Sequence, residues 1–278
     1  MPCPQDEAIA HVAALSVGEP ADPSWRVTLH FHPDRLLAGT PVLQLMARDG
    51  VYRSQFETGA SNGGLTAHPG GDRWRWESRI FAAAYDDGPA ADRPKYGSLN
   101  FRCRLVGGSP RFGSAHFRLA PDTLGRTTFC YPDSFAGPER FGVAARLSTL
   151  VALAAADDQD SLDDYVEAHV HGVVDIARDA EALVLDPCYL GTPVESAARC
   201  LACPVEWHGG FTLTTAELRR HPGYRGQEFV DLGVSLARGG LLDPRILGDA
   251  SRTGQYDEQA LKRVWHYVAR FGSPEMRP

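Results

Sequence analysis

The sequence predicts an α+β fold. Two observations lead to this prediction: strand-like segments are concentrated between residues 26 and 186, and helix-like segments lie between them and fill the C-terminal end. At 278 residues the chain is long enough to bury a large core. We therefore divide it into a helical N-terminal lead-in (1–24), an α+β core (25–190) and a helical C-terminal region packed on the core (191–278).

The N-terminal part of the chain contains a helix followed by a strand. Residues 5–17 have apolar side chains at helical spacing, and the glycine and prolines of 18–23 end that helix. Residues 26–32 alternate between an apolar face and a polar face that carries His30 and His32. The polar face of this strand is therefore a candidate for chemistry.

The middle of the chain combines short strands, helices and one long polar segment. Residues 51–73 are rich in turn-forming residues and lack a clean period, which is typical of a long loop. The turn at 107–110 suggests that the strands on either side of it form an antiparallel pair. The predicted elements are a helix from near Thr40 with Pro41 at its first position, a helix over 75–84, strands over 96–105, 113–119 and 127–130, and an apolar helix over 141–155.

The last part of the chain is predicted to turn from strands to helices. Thr214 and Glu217 have the spacing of a capping box, and Asp243 before Pro244 is typical of a helix start. Upstream, Asp133 and Ser134 are expected to brace a turn. The predicted elements are strands over 164–171 and 182–185, and helices over 192–201, from 214 to 220, from 243 onward and over 257–271.

The composition favours small-molecule chemistry in a cytoplasmic protein. The chain has 28 basic and 35 acidic residues and a net charge of −7, which argues against a broad nucleic-acid footprint. Of the six cysteines, only Cys200 and Cys203 form a C-x-x-C, and no second pair follows at zinc-ribbon spacing. No apolar stretch resembles a secretory leader or a membrane span. We therefore expect reduced thiols and no membrane partner.

The most informative segment is the strand that carries Glu167, His169 and His171. Alternation along an extended chain places these three side chains on one face. A carboxylate there could stabilise the positive charge that develops on a sugar when an N-glycosidic bond breaks. A glutamate beside two histidines could also bind a metal ion, and an edge strand facing solvent would show the same pattern. The residue pattern alone leaves these interpretations open.

Other polar side chains extend this candidate site. His30 or His32 can hold a ribose or a carboxamide, and Arg35 can pair with a phosphate. The Ser61-Asn62-Gly63-Gly64 turn lets the backbone approach a ligand closely. The sequence has neither the G-x-x-x-x-G-K-[ST] nor the G-x-G-x-x-G pattern, so a P-loop and a Rossmann site are excluded. The basic segment 72–126 would suit a pyrophosphate, with Arg73, Arg93 and Arg111 as candidates.

The order of these parts resembles the ADP-ribosyltransferase superfamily. The resemblance is carried by the first strand ending in histidine, the serine-containing loop, RPKYG (93–97), RTTFCYPDS (126–134) and the late strand with Glu167. The blocks YRSQFETGASNGGLTAHPGGDRWRWE, RPKYGSLNFR, RFGSAHFRL and EAHVHG look more specifically like an uncharacterised microbial family known only as a domain of unknown function. That closer resemblance covers about residues 25–272.

The superfamily resemblance implies two small antiparallel sheets that form a cleft for NAD, loss of nicotinamide and transfer of ADP-ribose to a nucleophile. It implies Glu167, His32 and Ser61 as the catalytic set. It also implies His30 as the alternative to His32 and Tyr96 as the aromatic side chain beside nicotinamide. The chemistry of the residues themselves adds Arg35, Asn62, Gly63, Gly64 and His169 to the predicted NAD-binding set. The chain departs from many toxin-like members at Tyr165, where they have a second acidic or amide residue, and it lacks their serine-threonine-serine run. The acceptor therefore stays open among protein, nucleic acid, a small molecule and water.

Two other functions fit the same residues. In a metal-dependent hydrolase, His30, His32, His169 and His171 would bind zinc and Glu167 would act as general base. The third possibility is a non-catalytic binding protein with the same fold. The first hypothesis expects NAD turnover without a metal, whereas the second expects bound zinc.

Overall fold

The computed structural model describes residues 3–59 and 66–276, and it confirms the α+β class. Its strands are β1 (Val27–Phe31), β2 (Leu36–Leu37), β3 (Thr40–Pro41), β4 (Val51–Tyr52), β5 (Lys95–Leu99), β6 (Ala115–Leu119), β7 (Thr127–Tyr131), β8 (Arg140–Val143), β9 (Val166–Val170), β10 (Val174–Asp175), β11 (Ala180–Leu185), β12 (Val205–Trp207), β13 (Leu213–Thr214) and β14 (Leu241–Leu242). Its helices are α1 (Pro4–Leu15), α2 (Val42–Asp49), α3 (Gln55–Thr58), α4 (Asp72–Ile80), α5 (Ser148–Ala156), α6 (Ile176–Asp179), α7 (Pro193–Ala198), α8 (Thr215–Leu218), α9 (Gln227–Leu236), α10 (Pro244–Arg252) and α11 (Glu258–Phe271).

The fold is organised by one large mixed sheet. Eight strands follow the order β12-β11-β6-β1-β5-β9-β7-β8, and three two-stranded ribbons pair β10 with β4, β13 with β14 and β2 with β3. Every neighbouring pair in the large sheet is antiparallel except β11 and β12, which are parallel. The expectation of two small antiparallel sheets that form a nucleotide cleft is therefore wrong.

The predicted pairing of the strands around 107–110 is also wrong. Strands β5 and β6 lie on opposite sides of β1, so that Thr28 pairs with Ser98 on one side and with Arg118 on the other. The strand expected over 96–105 ends at Leu99, because the chain then turns through Cys103 at a φ of 52°. Alternating residues indicate a strand, but they do not indicate which strand lies beside it.

Strands β1, β7 and β9 of the large sheet are buried on both faces. On β9, Val166, Ala168 and Val170 belong to the main apolar core, whereas Glu167, His169 and the following His171 point to the other face. Helices α1 and α4 cover that second face with a separate apolar cluster. The three polar side chains are therefore not on a solvated edge strand.

The C-terminal helices form a third core centred on α11. Trp265 is 2% exposed and its indole nitrogen donates to the carbonyl of Pro110 at 3.0 Å, which attaches α11 to the turn before β6. The predicted helix starts are confirmed, since the side chains of Thr214, Asp243 and Asp257 each accept a hydrogen bond in the first turn of the helix that follows. Among the described residues, no helix combines the length and apolar character that crossing a bilayer needs.

The apolar helix expected over 141–155 divides into a strand and a helix. Residues Arg140–Val143 form β8, where Phe129 of β7 pairs with Gly142, and the helix begins only at Ser148. A side chain at Gly142 would approach Leu147 to 2.7 Å, so the absence of one lets α5 pack against the strand. Residues 140–143 pair with the edge of β7 as a strand, although the apolar sequence over 141–155 had indicated a helix.

Candidate functional site

A cavity of about 800 Å³ is lined by residues from β1, β5, β9, α2, α4 and α11. It brings together five of the ten catalytic and NAD-binding candidates from the sequence: His30, His32, Arg35, Tyr96 and Glu167 all lie on its wall. His169 lies behind Glu167 and not on the wall. Ser61, Asn62, Gly63 and Gly64 lie outside the described residues.

Glu167 is held in the cavity wall by three side chains. One carboxylate oxygen, Oε1, accepts from His169 Nε2 at 3.0 Å and lies 3.8 Å from Nη1 of Arg73. The other oxygen, Oε2, accepts from the hydroxyl of Ser134 at 3.0 Å. Only 6% of the residue is exposed. Its orientation is therefore determined by the protein.

The pKa of Glu167 is lowered although the group is buried. Burial raises the pKa, but the hydrogen bond from His169, the positive charge of Arg73 and the hydrogen bond from Ser134 together outweigh it. The net direction keeps the carboxylate ionised at neutral pH. A buried carboxylate that stays anionic can stabilise positive charge that develops on a sugar during a reaction.

Arg73 connects the carboxylate to the aromatic side of the cavity. Its Nη1 donates to the hydroxyl of Ser134 at 2.6 Å, and its guanidinium carbon lies 4.0 Å from the centre of the Tyr96 ring. Arg73 was one of three candidate pyrophosphate ligands; it lines the cavity, and its described contacts are with Glu167, Ser134 and Tyr96. Ser134 was predicted to brace a turn, and it also links Arg73 to Glu167.

Tyr96 is fixed from behind by a buried ion pair. Its hydroxyl donates to Glu77 at 2.8 Å, and Arg93 donates to the other oxygen of Glu77 at 2.6 Å. Burial raises the pKa of Glu77 to about 7, although Tyr96 and Arg93 both oppose that shift. Arg93 is therefore a structural arginine that does not line the cavity.

A chain of hydrogen bonds runs from Glu167 into the protein. His169 Nδ1 lies 3.1 Å from the hydroxyl of Thr128, which lies 3.0 Å from His171 Nε2, and His171 Nδ1 lies 2.6 Å from the hydroxyl of Tyr85. One set of donors satisfies every member: Tyr85 donates to His171, His171 to Thr128, Thr128 to His169, and His169 to Glu167. Both histidines are then neutral, in agreement with the lowering of their pKa by burial.

His171 follows the end of β9, directly before Gly172. It is fully buried and shares the hydroxyl of Thr128 with His169. Alternation continues one residue beyond the end of β9, so His171 stays on the same face as Glu167.

Replacing Thr128 by valine is expected to lower the free energy of unfolding by about 1–3 kcal/mol. Valine has nearly the same shape, but it leaves His169 without a donor and His171 without an acceptor in a buried place. Urea titration at pH 7.5 would measure the loss. The exposed Thr212, changed to valine, is the control, and an equal effect of both changes would show that the hydrogen-bond chain contributes nothing.

The first-strand histidines have different roles in the structure. His30 Nδ1 lies 3.2 Å from the carbonyl of Gly113, and its Nε2 accepts from the backbone nitrogen of Ser109 at 3.3 Å. Burial lowers the pKa of His30 to about 3. Its ring is therefore neutral at pH 7 and forms hydrogen bonds with backbone groups. His32 is half-buried and packs edge-on against Trp265 with 5.1 Å between ring centres. Of the two, His32 is the better placed to contact a ligand.

The described residues do not assemble the four-histidine metal site. His30 lies on β1, which β5 separates from β9, and both its nitrogens contact backbone. A different group, Cys130, Glu167 and His169, has possible ligand atoms within 4.8 Å of one another. His169 Nε2 already donates to the carboxylate of Glu167 at 3.0 Å, and Nη1 of Arg73 lies 3.8 Å from the same oxygen. These features favour a hydrogen-bonded Glu167–His169 pair over a cation site.

The cavity also contains polar residues that the sequence analysis missed. Gln259, Lys262, Arg263 and His266 of α11 all lie on its wall. Their spacing of three and four residues puts them on one face of a helix, and that pattern is visible in the sequence.

Comparison with known families is consistent with an uncharacterised group. Residues 26–156 and 143–271 match the model of one family, whose description is protein of unknown function (DUF3626). No curated protein matches the chain. The match supports the closer of the two resemblances, and it gives no support to the link with ADP-ribosyltransferases.

Proposed function

The chain belongs to the family of proteins of unknown function DUF3626, and we propose that it is an NAD-consuming ADP-ribosyltransferase or NAD glycohydrolase with Glu167 as its catalytic carboxylate. The observation that carries this proposal is the buried carboxylate of Glu167, which His169, Ser134 and Arg73 hold in the wall of a cavity of about 800 Å³. Sites for small molecules and cofactors enclose roughly 300–1,000 Å³, so a dinucleotide is within range.

The proposed reaction uses the carboxylate electrostatically. The bond between nicotinamide and ribose C1′ breaks, and its electron pair leaves with nicotinamide. The ribose carbon becomes positive, and the carboxylate of Glu167 stabilises it. A nucleophile or water then forms a bond to C1′ and loses its proton to solvent.

The surrounding side chains support each part of this scheme. Ser134 and Arg73 hold the carboxylate in one orientation, which avoids the cost of ordering it during the reaction. Tyr96 is half-buried on the cavity wall, beside Arg73 and held by Glu77, as the aromatic surface beside the nicotinamide ring. His32 faces the same cavity and would bind the ribose or the carboxamide by hydrogen bonding.

The first test is NAD consumption by the purified chain. We expect release of free nicotinamide, measured by chromatography, with a rate that excess EDTA does not change. Metal analysis of the same sample tests the second hypothesis, because a stoichiometric ion at Cys130, Glu167 and His169 that turnover requires would contradict the proposal. If NAD binds but no nicotinamide appears, the protein is the non-catalytic binding protein of the third hypothesis.

A further inference from the structure

Helix α11 turns one polar face toward the cavity and one apolar face toward the core. Gln259, Lys262, Arg263 and His266 line the cavity at positions i, i+3, i+4 and i+7. Leu261, Val264, Trp265 and Val268 are buried in the C-terminal core. The polar face, which we call the α11 stripe, is therefore fixed in orientation by the packing of the opposite face.

Two arginines from other elements face the same part of the cavity. Arg35 follows β1 and Arg111 lies in the turn before β6, and both line the cavity with the α11 stripe. Arg35 lies 3.8 Å from Glu258, and Arg111 forms an ion pair with Asp163, which also pairs with Arg225. With Lys262 and Arg263 included, basic groups outnumber these two carboxylates.

Lys262 shows how closely the positive charges approach one another. Lys262 and Lys95 are the only lysines in the sequence, and Lys262 is half-buried. Its pKa falls to about 8, first because of burial and then because of the charges of Arg111, Arg263 and Arg35. By contrast, the Lys95 amine donates to three backbone carbonyls and is structural. A cluster that repels its own charge is stabilised when an anion enters it.

His266 adds a buried polar group beside these cations. The residue is 1% exposed, and neither of its ring nitrogens has a hydrogen-bond partner within residues 3–59 and 66–276. Burial lowers its pKa to about 2, and the charges of Arg111, Arg225 and Lys262 act in the same direction. Burying a neutral imidazole without hydrogen-bond partners costs free energy. A ligand oxygen that accepts a hydrogen bond from the ring would offset that cost.

We propose that the α11 stripe, together with Arg35 and Arg111, is a phosphate-binding subsite that takes a pyrophosphate group. Pyrophosphate offers several anionic oxygens, and guanidinium groups bind such oxygens in pairs. Lys262 supplies a compact point charge, and Arg263 and Arg111 supply the planar donors. The assignment of this pyrophosphate to NAD rests on the proposed function. The binding of pyrophosphate itself does not depend on it.

Calorimetric titration with inorganic pyrophosphate tests the subsite directly. The double variant Lys262→Met/Arg263→Gln is expected to bind at least about tenfold more weakly than the unaltered chain. Lys262→Arg should stay within about threefold, because it keeps the charge. Arg199→Gln removes an exposed arginine that does not line the cavity, and it should change affinity by less than about twofold. Equal affinities for all four proteins, or no binding to the unaltered chain, would overturn the proposal.

A second titration separates this subsite from the proposed reaction. ADP-ribose carries the pyrophosphate, and nicotinamide riboside carries only the sugar and the base. The double variant should lose affinity for ADP-ribose and keep its affinity for nicotinamide riboside. Pyrophosphate binding without NAD cleavage would leave the subsite standing and contradict the reaction. NAD cleavage with an unchanged KM in the double variant would contradict the subsite alone.

Discussion

Replacing Glu167 by glutamine is expected to lower the rate of nicotinamide release from NAD by at least about 100-fold. Glutamine keeps the size of the side chain and removes the negative charge that opposes the positive ribose carbon. The interaction strengthens only as that charge develops, so kcat should fall much more than KM rises. Nicotinamide release, followed over a range of NAD concentrations, would measure both constants.

Glu167→Gln is also expected to lower the stability of the fold, and this effect is measured separately from the loss of activity. Arg73 lies 3.8 Å from Glu167 and only 4% of its side chain is exposed, so the variant leaves a buried guanidinium with less compensation. Thermal unfolding of the variant would report that cost. The matched control is Glu181→Gln, an exposed glutamate on β11 outside the cavity, which should leave kcat unchanged. An unaltered kcat in folded Glu167→Gln would show that this carboxylate takes no part in the reaction.

The part of the site that could be read from the sequence is the part set by local geometry. Strand alternation has a fixed period of two, so Glu167, His169 and His171 had to share a face once the segment was extended. Helix caps are equally local, and the cap at Thr214 is present as expected. Alternation does not indicate whether this face is exposed to solvent or buried by another element. Helix α4 buries it, so His169 and His171 became internal hydrogen-bond partners.

The parts that the sequence did not predict depend on contacts between distant segments. Strand β1 lies between β5 and β6, and no local pattern encodes that order. Ser134 reaches Glu167 across 33 positions of sequence, and α11 reaches the cavity from the far end of the chain. A polar stripe at helical spacing is visible in the sequence, but an ordinary solvated face looks the same.

Lowering the pH from 7.5 to 5.0 is expected to destabilise the protein through its buried histidines. Burial lowers the pKa of His30 to about 3 and that of His266 to about 2, from an ordinary value of 6.5. Between the two values the unfolded chain binds a proton that the folded chain does not, so stability falls as the pH falls below 6.5. At pH 5 each histidine contributes about 2 kcal/mol to this loss. His116 and His171, whose pKa values also lie well below normal, act in the same direction.

One buried carboxyl group opposes this effect in the same pH range. The pKa of Glu77 is raised to about 7 from 4.5, so the folded chain binds a proton first and gains stability as the pH falls from 7. The total pH dependence therefore combines contributions of opposite sign. A comparison between variants isolates the histidines, because the contribution of Glu77 is the same in each.

The double variant His30→Gln/His266→Gln tests this prediction most directly. Glutamine can keep the donor to Gly113 and the acceptor for Ser109 at position 30, and it removes both titrating groups. We expect its loss of unfolding free energy between pH 7.5 and pH 5.0 to be smaller than that of the unaltered chain by about 4 kcal/mol, with each single variant contributing about half. Urea titrations at both pH values, in buffers without phosphate, would measure these differences. If the double variant and the unaltered chain lost the same free energy, the two rings would already be charged or exposed in the folded protein, contrary to their burial in the structure.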